Sequence, residues 1–321
     1  MTAAGAPASA PPLRLGTRAS LLATTQSGHV ADALRAATGR EVELVPITTA
    51  GDVLTGPLAQ LGGTGVFVAA LREALLRGEC DLVVHSMKDL PTAPAPGLRI
   101  GAVPVRASTR DALCARDGHT LAGLPHGAVV GSGSPRRVAQ LLRARPDLQV
   151  RGIRGNVDTR LRKVDDGEYD AIVLAEAGLS RIGRTARISE AFDGDAWPTS
   201  AGQGALAVEV RTDSEFGDVV AVLTDAEAEA TALLERAVLH RLEAGCAAPV
   251  GIAARVAGQE SIALVAEVYA LDGARSIRVE RTLARAAVAA DAGRDAAATD
   301  VVRELLDAGA GDLADLAGSS R

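Results

Sequence analysis

Aromatic residues are nearly missing from this chain: one Trp, two Tyr and three Phe in 321 residues. Its cores must be built from alanine, leucine and valine, because apolar residues still make up 47% of the sequence. Cysteine is scarce too. Cys80, Cys114 and Cys246 are odd in number and lack metal-ligand spacing, which argues against a disulfide framework or a metal site and fits a reducing compartment. No run reaches the ~20 apolar residues of a membrane span. The net charge of −6 argues against bulk nucleic-acid binding. Met1–Pro12 is rich in alanine and proline, uncharged and without an apolar core segment, so it reads as a disordered tail and not as a secretory signal. A cytoplasmic protein is expected, with no membrane or nucleic-acid partner. Lysine is the rarest charged residue. Of 34 lysines and arginines only Lys88 and Lys163 are lysine.

One of those two lysines lies in the most informative stretch, Asp81–Pro91. A short apolar run, Leu82-Val83-Val84, reads as a buried strand. It ends in His85-Ser86-Met87-Lys88-Asp89, stopped by Pro91. In open α/β sheets, ligands bind beyond the carboxyl ends of strands. Asp89 and Lys88 are therefore candidates for chemistry, and His85 for a general base or a packing histidine.

The remaining pattern alternates strand and helix, which predicts parallel sheets with helices on both faces. Leu13–Leu15 and Glu41–Ile47 read as strands around a helix capped by Ser20 and stopped by Gly39. The glycine-rich connection 48–64 is followed by an amphipathic helix, Val66–Arg77. A second lobe with the same grammar starts after a crossover near Val103–Asp111. It has strands at Ala128–Val130, Leu148–Ile153 and Tyr169–Ala175, and helices opened by Ser134-Pro135 and Asn156. Ala205–Val210 is a strand that could join either lobe. Ala226–Leu242 is a helix, and three strands followed by alanine-rich helices complete a smaller α+β domain. The expected division is domain 1 at 13–105 with 205–222, domain 2 at 106–204 and domain 3 at 223–321.

Helix N-termini favour anions, and arginine adds a bidentate fork for carboxylate or phosphate. Arg136, Arg137, Arg154 and Arg160 in the second lobe and Arg18 in the first point to an anionic ligand. Gly131-Ser132-Gly133-Ser134 is not followed by Gly-Lys-Ser/Thr, so a phosphate loop is disfavoured and carboxylates are favoured. Two lobes bearing anion sites would also suit a solute-binding protein without catalysis. Cys80 and Cys114 sit in apolar runs and read as inert. Cys246 is flanked by small residues that permit close approach to the sulfur, although a buried, inert thiol has the same signature.

These motifs together resemble the porphobilinogen deaminase (hydroxymethylbilane synthase) family. The resemblance runs through Gly16-Thr17-Arg18-Ala19-Ser20, Val84-His85-Ser86-Met87-Lys88-Asp89-Leu90-Pro91, Ser134-Pro135-Arg136-Arg137, Arg154-Gly155-Asn156-Val157-Asp158-Thr159-Arg160, Tyr169–Ala175, Gly202-Gln203-Gly204-Ala205 and Arg241-Leu242-Glu243-Ala244-Gly245-Cys246. It implies two lobes of the type II periplasmic-binding-protein kind plus a C-terminal α+β domain. It also implies a transferase that joins four porphobilinogen units head to tail on a dipyrromethane cofactor, losing ammonia each time, and releases hydroxymethylbilane by hydrolysis.

By the same resemblance Cys246 holds the cofactor through a thioether, and Lys88, Ser134, Arg136, Arg137 and Arg160 hold its carboxylates. Arg18, Ser20, Arg154, Arg181 and Gln203 serve the substrate and the growing polypyrrole chain. Asp89 accepts pyrrole N–H bonds and stabilises positive charge. A monomer that hands its product to uroporphyrinogen III synthase is implied as well. The chain departs from the family pattern at Gln60 and Thr64, where many relatives have lysine, and at Gly133, where serine is common. The Pro198–Gly202 segment looks one residue longer, and Ala247 and Ala248 replace more polar or bulkier neighbours of the cysteine.

Overall fold

The computed structural model describes residues 11–48, 65–242, 248–314 and 316. The expected tail at 1–10, the connection 49–64 with Gln60 and Thr64, and the Cys246 loop at 243–247 lie outside the described residues. By compactness the chain divides into two units: residues 1–85, 94–102 and 207–224, and residues 86–93, 103–206 and 225–321.

The first unit is built on one five-stranded sheet. Its strands are β1 (Leu13–Thr17), β2 (Val42–Pro46), β3 (Leu82–Ser86), β4 (Leu98–Ala102) and β10 (Leu206–Arg211), in the order β2-β1-β3-β10-β4. Helix α1 (Leu21–Thr38) links β1 to β2 and ends at Gly39, whose φ of 68° is a left-handed C-cap. Ser20 occupies the N-cap, but its side chain makes no capping bond there. Helix α2 (Gly65–Leu76) precedes β3 and is stopped by left-handed Gly78. The parallel pairs β1–β2 and β1–β3 follow the alternation read from sequence. β10 runs antiparallel to β4, so the sheet is mixed and not wholly parallel. The cause is connectivity: β10 returns to this sheet after all the strands of the second lobe's sheet have been laid down in the chain. That settles which lobe the 205–210 strand joins.

The second unit carries two sheets. One has β5 (Asp111–Ala115), β6 (Val129–Gly131), β7 (Gln149–Arg151), β8 (Ala171–Ala175) and β9 (Glu190–Ala191), in the order β7-β6-β8-β5-β9. Here β6 pairs in parallel with β7 and β8, while β5 is antiparallel to β8 and β9. Both five-stranded sheets thus have three consecutive strands ordered 2-1-3; the next strand is β10, from far along the chain, in the first sheet and β5, the strand just before β6, in the second. Helix α3 (Pro135–Ala144) opens with Ser134, whose hydroxyl accepts from the Arg137 N–H, and with Pro135 at its first position. Helix α4 (Val157–Asp165) is capped by Asn156, whose Oδ1 accepts from Thr159 N at 2.9 Å. Short helices α5 (Glu176–Arg181) and α6 (Phe216–Ala221) follow β8 and β10.

The other sheet of this unit is the antiparallel meander β11 (Val250–Val256), β12 (Ser261–Tyr269) and β13 (Ser276–Ala284). It packs with α7 (Ala226–Arg241) and α8 (Asp291–Asp307) around a core of Leu234, Val238, Ile252, Leu264, Val301 and Leu305. Alanines such as Ala266 and Ala298 fill it closely, which is how a chain so poor in aromatics reaches native packing. Cys80 and Cys114 are buried thiols, and burial pushes both up to about 11, as an inert role requires. Among the described residues no helix is long and apolar enough to cross a membrane.

Candidate active site

Lys88 and Asp89 sit on a single turn of 3₁₀ helix, Met87–Asp89, directly after β3. The strand is short because Leu82–Val84 fill the core and His85 closes it. His85 is 5% exposed, with Nε2 3.0 Å from Glu209 Oε2 on β10. Glu209 also takes two bonds from Arg72, at 2.7 and 3.0 Å. Burial alone would raise the Glu209 carboxyl, but His85 and Arg72 hold it down at about 2. His85 is therefore committed to the first unit's core and is not a general base.

The turn itself belongs to the second unit. Arg236 on α7 donates to the carbonyls of Met87 at 3.3 Å, Leu90 at 2.8 Å and Pro91 at 2.8 Å. Met87 N donates to Ala205 O at 3.0 Å. Gly202 has a φ of +74°, and a Cβ there would lie 3.0 Å from Met87 Cγ and 3.3 Å from Lys88 N. Gly204, at φ +85°, passes so close to Ala107 and Ser108 that a Cβ would meet their carbonyl oxygens at 2.5 and 2.7 Å. The glycines of Gly202-Gln203-Gly204 thus let this chain segment lie against the turn and present Gln203 to Lys88.

Lys88 Nζ donates to Gln203 Oε1 at 3.3 Å. Burial lowers the Lys88 ammonium to about 8, with Asp89 and Asp111 opposing and Arg137 and Arg136 assisting. Gln203 is fully buried, and its amide nitrogen donates to Thr109 O at 2.8 Å and Asp111 Oδ1 at 2.9 Å. Gln203 thus bridges Lys88 and Asp111 through the two ends of its amide. Asp89 is half-buried, and among the described residues its carboxylate has no hydrogen-bond partner.

The second lobe contributes the arginines. Arg136 is 2% exposed and bonds Asp111 at 2.8 Å and Gln140 at 2.7 Å through Nη1. Arg137 bonds Asp111 at 2.6 Å and Val173 O at 3.0 Å. Asp111 also accepts from Trp197 Nε1 at 3.2 Å. Against strong burial, Arg136 and Arg137 hold its carboxyl far below the usual range. Nε of both arginines is buried and unpartnered. Arg160 donates Nε to Gly155 O at 2.7 Å, and it is pushed down by burial, then by the nearby charges of Arg137 and Arg154. Arg181 donates to Gly204 O at 2.7 Å.

Lys88, Asp89, Arg136, Arg137, Arg154, Arg160 and Gln203 therefore form one cationic neighbourhood in which, among the described residues, the Asp89 carboxylate has no hydrogen-bond partner. Ser134 serves the start of α3, and Arg181 holds the Gly204 carbonyl. Arg18 and Ser20 lie on the first unit, between β1 and α1. Cys246 lies outside the described residues.

Three residues that organise this neighbourhood have no sequence signature: Asp111, Glu235 and Arg236. Glu235, fully buried on α7, binds Arg106 at 3.0 and 2.7 Å and accepts from the N–H groups of Gly202 and Ala254, each at 2.7 Å. The only sequence hint for Asp111 or Glu235 is a lone acid inside an apolar run, Asp111-Ala112-Leu113-Cys114 or Leu233-Leu234-Glu235. Among the described residues no cluster of histidine, cysteine and acid could hold a metal.

Buried, partly unpartnered guanidiniums beside a lysine suit a ligand bearing several carboxylates, and the comparisons with known proteins agree. The family model "Porphobilinogen deaminase, dipyromethane cofactor binding domain" matches residues 13–217, and "Porphobilinogen deaminase, C-terminal domain" matches 229–299. A porphobilinogen deaminase of Leifsonia xyli is 52% identical over 315 residues, covering 95% of both chains. One of Thermobifida fusca is 54% identical over 275 residues, covering 85% of this chain and 86% of its own. One of Cutibacterium acnes is 50% identical over 332 residues, covering 96% of this chain and 99% of its own. With both domain models matched in order and half of all positions identical along nearly its whole length, the chain belongs to the porphobilinogen deaminase family.

Proposed function

We propose that Asp89 is the catalytic carboxylate of this chain's transferase reaction, and that Lys88, Arg136, Arg137 and Arg160 hold the carboxylates of its dipyrromethane cofactor. The activity and the cofactor follow from the family: porphobilinogen units are deaminated and joined head to tail in tetrapyrrole biosynthesis. A two-lobe anion-binding protein without catalysis is not favoured. When bound, the cofactor supplies the pyrrole carbon to which the first substrate unit is joined.

The observation that carries the residue roles is the Asp89 carboxylate beside Lys88, the one acid on a turn that otherwise meets arginines and, among the described residues, without a hydrogen-bond partner. Every pyrrole of cofactor and substrate carries an acetate and a propionate, so Lys88 and the arginines have the sign their side chains need. Asp89 has the opposite sign, the one that suits pyrrole N–H donors and positive charge developing on a pyrrole ring. A carboxylate about 4 Å from a cation is worth roughly 4 kcal/mol at an effective dielectric near 20. That is about a thousandfold in rate if it acts mainly in the transition state.

Arg18, Ser20, Arg154 and Arg181 are assigned to substrate and the lengthening chain. Ser134 supports the cofactor by fixing the start of α3. Cys246 is assigned the thioether on its sequence motif alone. The three-domain division at 13–105 with 205–222, 106–204 and 223–321 is likewise an inference, supported by the three separate sheets. So are a monomeric cytoplasmic protein and hand-over of product to uroporphyrinogen III synthase.

Intact mass spectrometry of the chain from a porphobilinogen-replete host tests the assignment. The expected mass exceeds that of the sequence by one dipyrromethane, and Cys246→Ser removes the increment. An unmodified wild-type mass, or a cofactor retained at another cysteine, overturns it.

A further inference from the structure

Three cations, Arg136, Arg137 and Lys88, meet in a space that excludes most water, and two of them are consecutive residues in the first turn of α3. The positive end of a helix adds to their mutual repulsion. Something must hold them in register before any ligand arrives.

We propose that Asp111, on the first strand of the second sheet, is the positioning residue of this anion site, orienting Arg136 and Arg137 directly and Lys88 through Gln203. The inference rests on the reading of the site given above. Asp111 is 0% exposed and accepts four bonds on two oxygens: Arg136 and Trp197 on Oδ2, Arg137 and Gln203 on Oδ1. This is about the full lone-pair capacity of a carboxylate.

The Gln203 bridge has a defined sense. Both neighbours of its amide nitrogen, Asp111 Oδ1 and Thr109 O, can only accept, so the NH₂ group must face them. Its oxygen is therefore turned to Lys88 Nζ. The charge on Asp111 fixes the orientation of the amide, and the amide fixes what Lys88 meets. An asparagine at 111 breaks this logic, because its own NH₂ must face a guanidinium, the Trp197 N–H or the Gln203 NH₂.

The charged groups facing Lys88 are Asp89 on its own turn, Arg136 and Arg137 from α3, and Asp111 from β5. Asp111 and Asp89 support the ammonium form; burial and the two arginines oppose it. Neutralising Asp111 must therefore lower the proton affinity of Lys88, by loss of its charge and of the amide orientation it sets; Gln203→Met, which leaves the Asp111 charge in place, reads the bridge alone.

The chain has only two lysines, so labelling with ¹³C,¹⁵N-lysine gives two side-chain signals. Lys163, paired with Glu168 at 3.1 Å, is the internal reference. The full chain and Asp111→Asn are titrated at equal cofactor content, measured by intact mass. The Lys88 titration is expected to move about one pH unit to the acid side, a tenfold change, while Lys163 stays in place. A folded D111N in which Lys88 titrates as in the wild type overturns the proposal. Should D111N fail to fold, Gln203→Met keeps both arginine–Asp111 pairs and removes only the bridge. Lys88 is again expected to shift to the acid side, and an unchanged titration overturns the proposal. A wild-type chain lacking the cofactor mass would instead sink the functional reading, and it would leave the lysine comparison standing.

Discussion

Arg236 on α7 donates to the carbonyl of Leu90 at 2.8 Å, and with its further bonds to Met87 and Pro91 it closes the backbone around Lys88 and Asp89. The turn that bears the candidate catalytic pair is thus held by a helix almost 150 residues later in the chain.

Arg236→Ala leaves three carbonyls without their charged donor. A hydrogen bond to a charged group contributes about 1.5–3 kcal/mol. The expected result is a lower denaturation midpoint and a fall in kcat larger than any rise in KM, because the turn loses its position while the arginines remain. Steady-state kinetics beside a denaturant curve checks both. A normal kcat would show that the turn holds its shape unaided.

Asp89→Asn preserves size and removes charge. Turnover is expected to drop by about three orders of magnitude, following the Coulomb estimate above, with cofactor content unchanged. Single-turnover kinetics on protein of verified mass separates this from a loading defect.

Lys88 predicts a basic limb. Its ammonium, lowered to about 8, holds anions in the protonated form, so carboxylate affinity is present below pH 8 and lost as pH rises through that value. Loading of cofactor-free wild-type chain, followed by intact mass, should slow above pH 8. Lys88→Arg keeps the charge and should move the limb upward, while Lys88→Met should slow loading at all pH values and flatten the profile. Wild-type loading that stays level to pH 9.5 would count against Lys88 as a contact of the cofactor carboxylates.

Glu209 governs an acid window. Held at about 2 against an ordinary carboxylate near 4.5, it contributes stability that is complete above the ordinary value and lost as pH falls through about 2. Glu209→Gln should therefore destabilise the protein at neutral pH and narrow that difference in strong acid, as read from urea midpoints at several pH values.

Much of the fold was legible because its signals are local. Ser134, Pro135, Asn156 and Gly39 act within three residues of themselves, so a helix start or stop can be read where they stand. The strand ending at Ser86 was equally plain. The sheets were less so: β10 pairs antiparallel with β4 from more than 100 residues away and β5 antiparallel with β8, and strand direction leaves no mark on composition. The site divided in the same way. Arginines at helix starts and the Lys88-Asp89 pair could be found by type and position. Asp111, Glu235 and Arg236 could not, because each is an ordinary residue whose meaning lies in partners 25 to 149 residues away. Gln203 could be found by its motif, but its bridge to Asp111 could not, since nothing local marks which buried group an amide will face.

The Glu235 carboxylate has a consequence for how the protein is made. Arg106 precedes its partner by 129 residues. At about 5–20 residues per second, a ribosome needs roughly 6–26 seconds to supply that distance. For that interval the crossover into the second lobe carries a cation destined for burial, and the Gly202 and Ala254 N–H groups await the same acceptor. The second lobe can form its sheet as it emerges, but its seam closes only when α7 and β11 have been synthesised. A chain released before Glu235 would leave the Arg106 guanidinium and the Gly202 N–H without their acceptor.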